Sequence, residues 1–130
     1  MKNIMYRQFI ILGALNAFLA VALGAFAAHG LKHQLGEYEI AIWQTAVDYQ
    51  MYHALGLLLV GLLANSLSIN LDRVGWIMMT GIVLFSGSLY MLSISGIKSL
   101  GMITPFGGLC FLISWLWLMI SVFKARPWPI

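Results

Sequence analysis

The chain has 130 residues, of which 62% are hydrophobic and 8% charged, and its formal net charge is +3. Its mean hydropathy of +0.92 lies far above that of soluble globular domains. This composition excludes a separate soluble domain, because no stretch between the apolar segments is long enough to bury a core of its own. The basic residues are scattered singly along the chain, so we expect no nucleic acid partner.

Four long apolar stretches are predicted to cross a membrane. They cover residues 8–28, 51–67, 74–95 and 103–123. Each is close to the length of about 20 helical residues that spans a hydrocarbon layer. Residues 57–60 are apolar on every side, whereas the strands of a membrane barrel alternate apolar and polar residues. Because the later connections are short, the sequence predicts one all-α domain over residues 1–130, with four transmembrane helices in an antiparallel up-down-up-down bundle.

The first stretch has some features of a signal peptide. Lys2 and Arg7 precede the apolar run, and the alanines at 25 and 27 could form a cleavage site. The run is longer than in most signal peptides, and small residues such as Gly24 recur along one helical face, which is typical of a packed span. We therefore predict an uncleaved first helix. Asn16 lies in its middle, where a side-chain amide is predicted to hydrogen bond to a neighbouring helix.

The distribution of basic residues predicts the orientation in the membrane. With four spans both termini share a side, and that side carries Lys2, Arg7, Arg73, Lys124 and Arg126. Lys32 and Lys98 fall on the opposite side. An excess of Lys and Arg marks the cytoplasmic side, so both termini are predicted to be cytoplasmic.

The connection before the second stretch is predicted to be helical. Ile40, Trp43 and Val47 recur at the spacing of one helix face, while the polar residues lie mostly on other faces. The sequence is compatible with two structures here: a short amphipathic helix at the membrane interface, or an extension of the second span.

The densest group of polar side chains lies where this connection meets the second stretch. The candidate site residues are His29, Asp48, Tyr49, Gln50, Tyr52 and His53. Tyr49 and His53 are one helical turn apart, with Asp48 and Tyr52 alongside. His29 ends the first span at a similar depth, so His29, Asp48 and His53 could converge near the outer surface.

Three interpretations of this polar group remain open. The one that we favour is a network of hydrogen bonds between helices, which fixes their register. The second is a site for a ligand or for proton transfer, because ionisable residues within a bilayer are often functional. The third is a metal centre, but these residues lack the tight spacing of metal-binding motifs. We therefore predict no metal ion and no cofactor.

Small residues in the third and fourth stretches are predicted to permit close packing between helices. They are Ser86, Gly87 and Ser88 in the third stretch and Gly107 and Gly108 in the fourth. Pro105 suits the first turn of the fourth helix, where its missing N–H has no cost. The two glycines lack the strand and the downstream Lys-Ser or Lys-Thr pair of a phosphate loop, so nucleotide binding is not expected.

Four motifs occur in a fixed order along the chain. They are GAFAAHG at 24–30, YQMYH at 49–53, LFSGSLY at 84–90 and TPFGG at 104–108. Together they resemble the DUF423 family, also called the UPF0382 small integral membrane proteins, over nearly the whole chain. One departure is Ala27, where glycine is expected in the family.

This resemblance implies a four-helix protein of the bacterial plasma membrane, and it does not imply a reaction. It also favours His29, Tyr49, Gln50 and His53 as functional positions, because they fall within the motifs.

Three classes of function are compatible with these features. We expect a non-enzymatic bundle with an interaction or accessory role, whose partners are the lipid bilayer and either further copies of itself or other membrane proteins. The alternative is a small transporter, channel or ligand-binding protein with the polar His, Asp and Tyr site near its outer face. A membrane enzyme acting on a lipid or quinone is less favoured, because no nucleophile–base pair or metal motif is recognisable.

Overall fold

The computed structural model describes residues 2–126, so Met1 and residues 127–130 of the predicted domain lie outside the described residues. The helices are α1 (Lys2–His29), α2 (Glu37–Ser66), α3 (Asp72–Ser95) and α4 (Thr104–Lys124). Short 3₁₀ turns at Leu31–His33 and Lys98–Met102 precede α2 and α4. Four helical segments are long and apolar enough to cross a membrane. The predicted all-α membrane fold is confirmed.

The second helix is one continuous element, so the residues before the second apolar stretch extend that span. Gly36 has an extended backbone immediately before the helix begins. Glu37 and Glu39 then place negative charge in the first turn, where the helix dipole favours it. Residues 48–53 of the predicted polar group and the second apolar span therefore lie on one helix, whereas His29 ends α1.

The first two helices are antiparallel and approach closely at glycines. In the α1–α2 pair, Gly13 lies against Ala54, whereas Gly61 lies against Ile10, so the two helices run in opposite directions. A Cβ atom on Gly13 would come within 2.7 Å of the Ala54 carbonyl oxygen. Only glycine permits this separation, and small residues at such crossings are typical of membrane helices.

The third helix contains a π-helical segment, Val83–Gly87, between two α-helical parts. A π turn is wider than an α turn, so it changes the direction in which the following side chains point. Ser86 in this segment is buried and donates a hydrogen bond of 2.8 Å to the Ala46 carbonyl of α2. Phe85 contacts Gly107 of α4. The π-helical segment therefore contacts both neighbouring helices.

The main apolar core lies between α1, α2, α3 and α4. Its buried members are Phe9, Leu57, Val60, Leu71, Val74, Met78, Ile82, Phe111 and Leu118. The backbone of α4 packs mainly on α3, and α4 reaches α2 through side chains such as Phe111 and Trp115. This separation leaves a cleft between α2 and α4.

Candidate functional site

The cleft between α2 and α4 has a volume of about 580 Å³, which is within the range of small-molecule sites. Its lining comes from α2, the π-helical segment of α3, and α4. The lining residues are Tyr49, His53, Phe85, Pro105, Gly108, Leu109, Phe111, Leu112 and Trp115. None of them is Asp, Glu, Lys or Arg, so the cleft has an apolar and aromatic surface. We call it the α2–α4 cleft.

The α2–α4 cleft lies beside the middle of α2. At about 1.5 Å per residue, His53 is about 24 Å from the first residue of α2 and about 20 Å from the last. Leu112 on the α4 side of the cleft is 71% exposed and Leu109 is 54% exposed. The cleft therefore opens on the apolar outer surface of the bundle.

His53 forms the back of the cleft, and its ring is held in one neutral form by two hydrogen bonds. The indole N–H of Trp115 points at Nε2 of His53 across 3.0 Å. An indole nitrogen can only donate, so Nε2 must be the acceptor and Nδ1 must carry the proton. Nδ1 lies 2.8 Å from the Tyr49 carbonyl oxygen and donates to it. Both nitrogens of His53 are thus engaged within the protein.

Aromatic rings stack across the cleft. The His53 ring lies 3.4 Å from that of Phe111, and their planes differ by 8°. The Tyr49 ring lies 4.5 Å from that of Phe85 with an interplanar angle of 30°. Such stacked pairs add to the stability obtained from burial alone. They also hold His53 and Phe111 in place as the wall of the cleft.

Tyr49 and Tyr52 lie at the accessible side of α2. Tyr49 is 39% exposed and Tyr52 is 57% exposed. Their rings are 5.7 Å apart, but only Tyr49 lines the cleft. Within residues 2–126 the hydrogen bonds of this region involve the Tyr49 carbonyl and not its hydroxyl.

The other predicted members of the polar group lie in separate environments. His29 is exposed at the end of α1. Asp48 is half-buried and accepts a hydrogen bond of 2.8 Å from Gln44 Nε2 on its own helix. Within residues 2–126, no hydrogen bond joins His29, Asp48 and His53, and no cluster of three or more His, Cys, Asp or Glu side chains could hold a metal ion.

A buried polar chain crosses three helices beside the cleft. The Tyr90 hydroxyl donates to Gln50 Oε1 at 2.6 Å, and Gln50 Nε2 donates to Asn16 Oδ1 at 3.1 Å. Asn16 Nδ2 in turn donates to the Leu12 carbonyl at 2.9 Å. The chain joins α3, α2 and α1, and both Asn16 and Gln50 are buried.

Two members of these contacts, Tyr90 and Trp115, were not among the predicted site residues. Tyr90 ends the LFSGSLY motif, so its position in that motif was the available signal. Trp115 had no comparable signal, because nothing in the spacing of α4 indicates which side chain reaches His53.

The predicted packing residues differ in how closely they approach other helices. A Cβ on Gly24 would lie 3.3 Å from the Val47 side chain, and a Cβ on Gly107 would clash with the Phe85 backbone. By contrast, a Cβ on Gly87 would meet nothing within 4 Å, and one on Gly108 would meet Phe85 at 3.9 Å.

The start of α4 lies at one edge of the cleft. Ser88 Oγ donates to the Phe85 carbonyl at 2.9 Å and lies 2.6 Å from Thr104 Oγ1, from which it can accept. Pro105 follows in the first turn of α4 and lines the cleft. The Ser88–Thr104 contact thus joins the start of α4 to α3 immediately after the π-helical segment.

Comparisons with known proteins give one family. The family model described as a protein of unknown function (DUF423) matches residues 23–108. A UPF0382 membrane protein of Staphylococcus saprophyticus is 53% identical over 118 residues, which cover 91% of this chain and 98% of the relative. The UPF0382 membrane protein YwdK of Bacillus subtilis is 53% identical over 120 residues, covering 91% of this chain and 98% of the relative.

A third relative, a UPF0382 membrane protein of Staphylococcus aureus, is 51% identical over 118 residues, covering 91% of this chain and 97% of the relative. No solved structure matches the chain. The relatives are named as membrane proteins, which agrees with the four helical segments of the described residues that are long and apolar enough to cross a membrane. The chain is therefore an integral membrane protein that belongs to the DUF423, or UPF0382, family.

Proposed function

We propose that the protein is a non-enzymatic ligand-binding protein that takes up an apolar molecule from the bilayer into the α2–α4 cleft. The observation that carries this proposal is a cleft of about 580 Å³ that opens on the apolar outer surface of the bundle, beside the middle of a helix long enough to cross a membrane. Membrane-dissolved molecules reach such an opening directly, without passing through water. An apolar lining then favours binding by burial of apolar surface.

The buried polar groups favour binding over conduction. Every buried side-chain nitrogen and oxygen in the described part of the chain has a hydrogen-bond partner. Asn16, Gln50 and Tyr90 bond to one another rather than facing a water-filled path. A polar pathway for ions or solutes would need such groups to be free to contact the solute.

The engagement of His53 supports a non-enzymatic role. A general base or a nucleophile must have an unengaged atom within reach of the substrate. Both nitrogens of His53 bond to protein groups, so His53 offers no such atom to a substrate.

We further propose that the protein lies in the bacterial plasma membrane with both termini in the cytoplasm. The support is the excess of basic residues at the termini and after α2, where Arg7, Arg73 and Lys124 lie. A fusion of green fluorescent protein to the C-terminus should be fluorescent in cells, and a fusion of alkaline phosphatase should be inactive. The reverse pattern contradicts this orientation.

Photolabelling tests the binding proposal. The protein is placed in phosphatidylcholine nanodiscs with a long-chain fatty acid that carries a diazirine, and labelled residues are mapped by mass spectrometry. We expect labels on the cleft side of α4, at Leu109 and Leu112. Leu112→Trp should fill the cleft and remove this labelling without disturbing the core, because Leu112 is exposed.

Leu116→Trp is the matched control for this experiment. Leu116 is one turn further along α4, is 56% exposed, and does not line the cleft. Its variant should be labelled like the unmodified protein. Labelling that is spread evenly over the lipid-facing residues, and that Leu112→Trp does not change, would contradict the proposal.

The interaction role predicted from the sequence remains a second proposal, with further copies of the chain or other membrane proteins as partners. Size-exclusion chromatography with light scattering of protein in detergent measures the number of copies per particle.

A further inference from the structure

We infer that the outer face of the α3–α4 pair binds an anionic phospholipid, with its phosphate at Arg73 and Lys124 and an acyl chain along Trp117 and Ile113. We call this surface the basic groove. It is separate from the α2–α4 cleft, whose lining contains none of these four residues. The inference rests on the charge at this end of the bundle, on a contact between α3 and α4, and on the apolar surface beside that contact.

The end of the bundle at which α1 and α3 begin is positively charged. Arg7 lies near the start of α1, Arg73 lies in the first turn of α3, and Lys124 lies in the last turn of α4, with Arg126 just beyond it. In the part of the chain that the structure describes, Asp72 is the one carboxylate at this end, because the other three are in α2 at positions 37, 39 and 48. An excess of positive charge at the end of a membrane bundle attracts anionic lipid headgroups.

Arg73 reaches from α3 to α4. Cζ of its guanidinium lies 6.0 Å from the centroid of the Trp117 ring, which is within the range of a cation–π contact. This contact places the guanidinium at the junction of the two helices, but a neutral ring does not cancel its charge. A guanidinium has five N–H donors in a geometry that matches a phosphate group. The exposed side chain of Arg73 is therefore positioned to bind a phosphate.

Lys124 adds a second positive charge to the same surface. It follows Trp117 by seven residues, so it lies on nearly the same face of α4 and about 10 Å further along the helix. Its side chain is exposed. Long basic side chains extend their charged ends towards water and headgroups. Arg73 and Lys124 therefore border one polar region at the end of the α3–α4 pair.

Apolar side chains continue from these charges towards the middle of α4. Trp117 is 37% exposed, and Ile113, one turn before it on the same face, is 40% exposed. Indole rings favour the boundary between headgroups and hydrocarbon. The order of a charged group, an indole and an aliphatic side chain matches the phosphate, glycerol and acyl chain of a phospholipid. A free phosphate ion would gain nothing from Ile113, so the occupant that we assign is a lipid.

Native mass spectrometry of lipid binding tests the inference. The probes are dioleoylphosphatidylglycerol, which is anionic, and dioleoylphosphatidylcholine, which has no net charge. Each is titrated into the full-length protein in detergent, and the dissociation constant of the first bound lipid is measured. We expect phosphatidylglycerol to bind about tenfold more tightly, because two basic side chains face its headgroup. Equal affinities for the two lipids would overturn the inference.

A matched pair of variants shows whether the lipid binds at the basic groove. Arg73→Gln removes one charge there and should weaken phosphatidylglycerol binding roughly fivefold. Lys98→Gln removes the same charge just beyond the opposite end of α3, where Lys98 is exposed, and should leave the affinity unchanged. Equal losses in the two variants would show that the lipid responds only to net charge, and the basic groove would be wrong.

Lys124→Gln tests the groove from α4. It should weaken phosphatidylglycerol binding as Arg73→Gln does, and it carries the test if Arg73→Gln does not fold. Circular dichroism of each variant shows whether the helices are retained. Full affinity in a folded Lys124→Gln variant would overturn the assigned position of the phosphate.

A photoreactive lipid separates this inference from the proposed function. Phosphatidylglycerol with a diazirine in one acyl chain should label Ile113 and Trp117 in nanodiscs, whereas the fatty acid probe is expected at Leu109 and Leu112 of the cleft. Added unlabelled phosphatidylglycerol should reduce the labelling, and excess inorganic phosphate should not. Reduction by inorganic phosphate would show that the groove binds the anion alone, and even labelling of all lipid-facing residues would show no site. Either result would overturn this inference and leave the cleft proposal standing.

Discussion

The indole N–H of Trp115 donates a hydrogen bond of 3.0 Å to Nε2 of His53, which joins α4 to α2 along one edge of the α2–α4 cleft. Phe111 stacks on a face of the same imidazole, with the two ring centroids 3.4 Å apart. One histidine therefore connects two side chains of α4 to α2. Because the backbones of these two helices are separated, the histidine also sets the width of the cleft.

His53→Ala should lower the stability of the protein. The change removes the stacking on Phe111 and leaves the Trp115 N–H without an acceptor, so we expect a loss of about 1–3 kcal/mol. The measurement is Tm by circular dichroism in detergent. His29→Ala is the control, because His29 is exposed at the end of α1 and its variant should unfold at the original temperature. Equal Tm values for the two variants would contradict the role assigned to His53.

The buried polar chain predicts which of two variants loses more stability. Gln50→Leu leaves both Asn16 Oδ1 and the Tyr90 hydroxyl without their partner, whereas Tyr90→Phe removes only one donor. Interhelical hydrogen bonds in membranes contribute roughly 0.6–2 kcal/mol each, so Gln50→Leu should cost more than Tyr90→Phe.

The control for this series is Thr45→Val. Thr45 is exposed and bonds to the Ala41 carbonyl of its own helix, so its loss should change stability little. Asn16→Leu should behave like Gln50→Leu in thermal unfolding. An unchanged unfolding temperature for Asn16→Leu would show that the bond to Gln50 does not stabilise the bundle.

Replacement of two adjacent glycines of α4 by alanine should have different effects on the stability of the protein. Gly107→Ala places a methyl group against the Phe85 backbone and should destabilise the protein by about 1–3 kcal/mol through overpacking. Gly108→Ala meets Phe85 only at 3.9 Å and should be neutral or slightly stabilising. Thermal unfolding of both variants, under one set of detergent conditions, gives the comparison.

Asp48→Asn tests whether the predicted His29, Asp48 and His53 group acts as one site. Asn keeps the oxygen that accepts from Gln44, and Asp48 does not line the cleft. We therefore expect stability to change by less than about 0.5 kcal/mol and fatty acid photolabelling to stay the same. Loss of labelling in this variant would instead support a functional role for the carboxylate.

The four spans could be predicted from the sequence because their signal is local. A helix that faces lipid must be apolar over about 20 residues, and composition alone identifies such a stretch. The start of α2 could not be predicted in the same way. Ile40, Trp43 and Val47 fit an interfacial helix as well as an extension, and the choice depends on packing of Trp43 and Val47 against Ala27 and Leu31.

The contacts of the candidate site were only partly predictable. Helical spacing showed that Tyr49 and His53 share a face, but it could not show which helix that face meets. In the structure this face of α2 packs against α4, where Phe111 stacks on His53 and Trp115 donates a hydrogen bond to it. The π-helical segment had no sequence signal either, because the apolar pattern through Val83–Gly87 is compatible with an ordinary α-helix.

The packing of α1 has a consequence for how the chain is made. Its contacts lie almost entirely with α2, at the levels of Gly61, Gly13 and Gly24, and Trp43 donates to the Leu23 carbonyl at 3.0 Å. These partners are close in the chain, and local contacts form early. We therefore expect the first two helices to pair as a hairpin in the bilayer while the rest is still being synthesised. Gln50 can then hold Asn16 before Tyr90 is available to complete the chain of bonds.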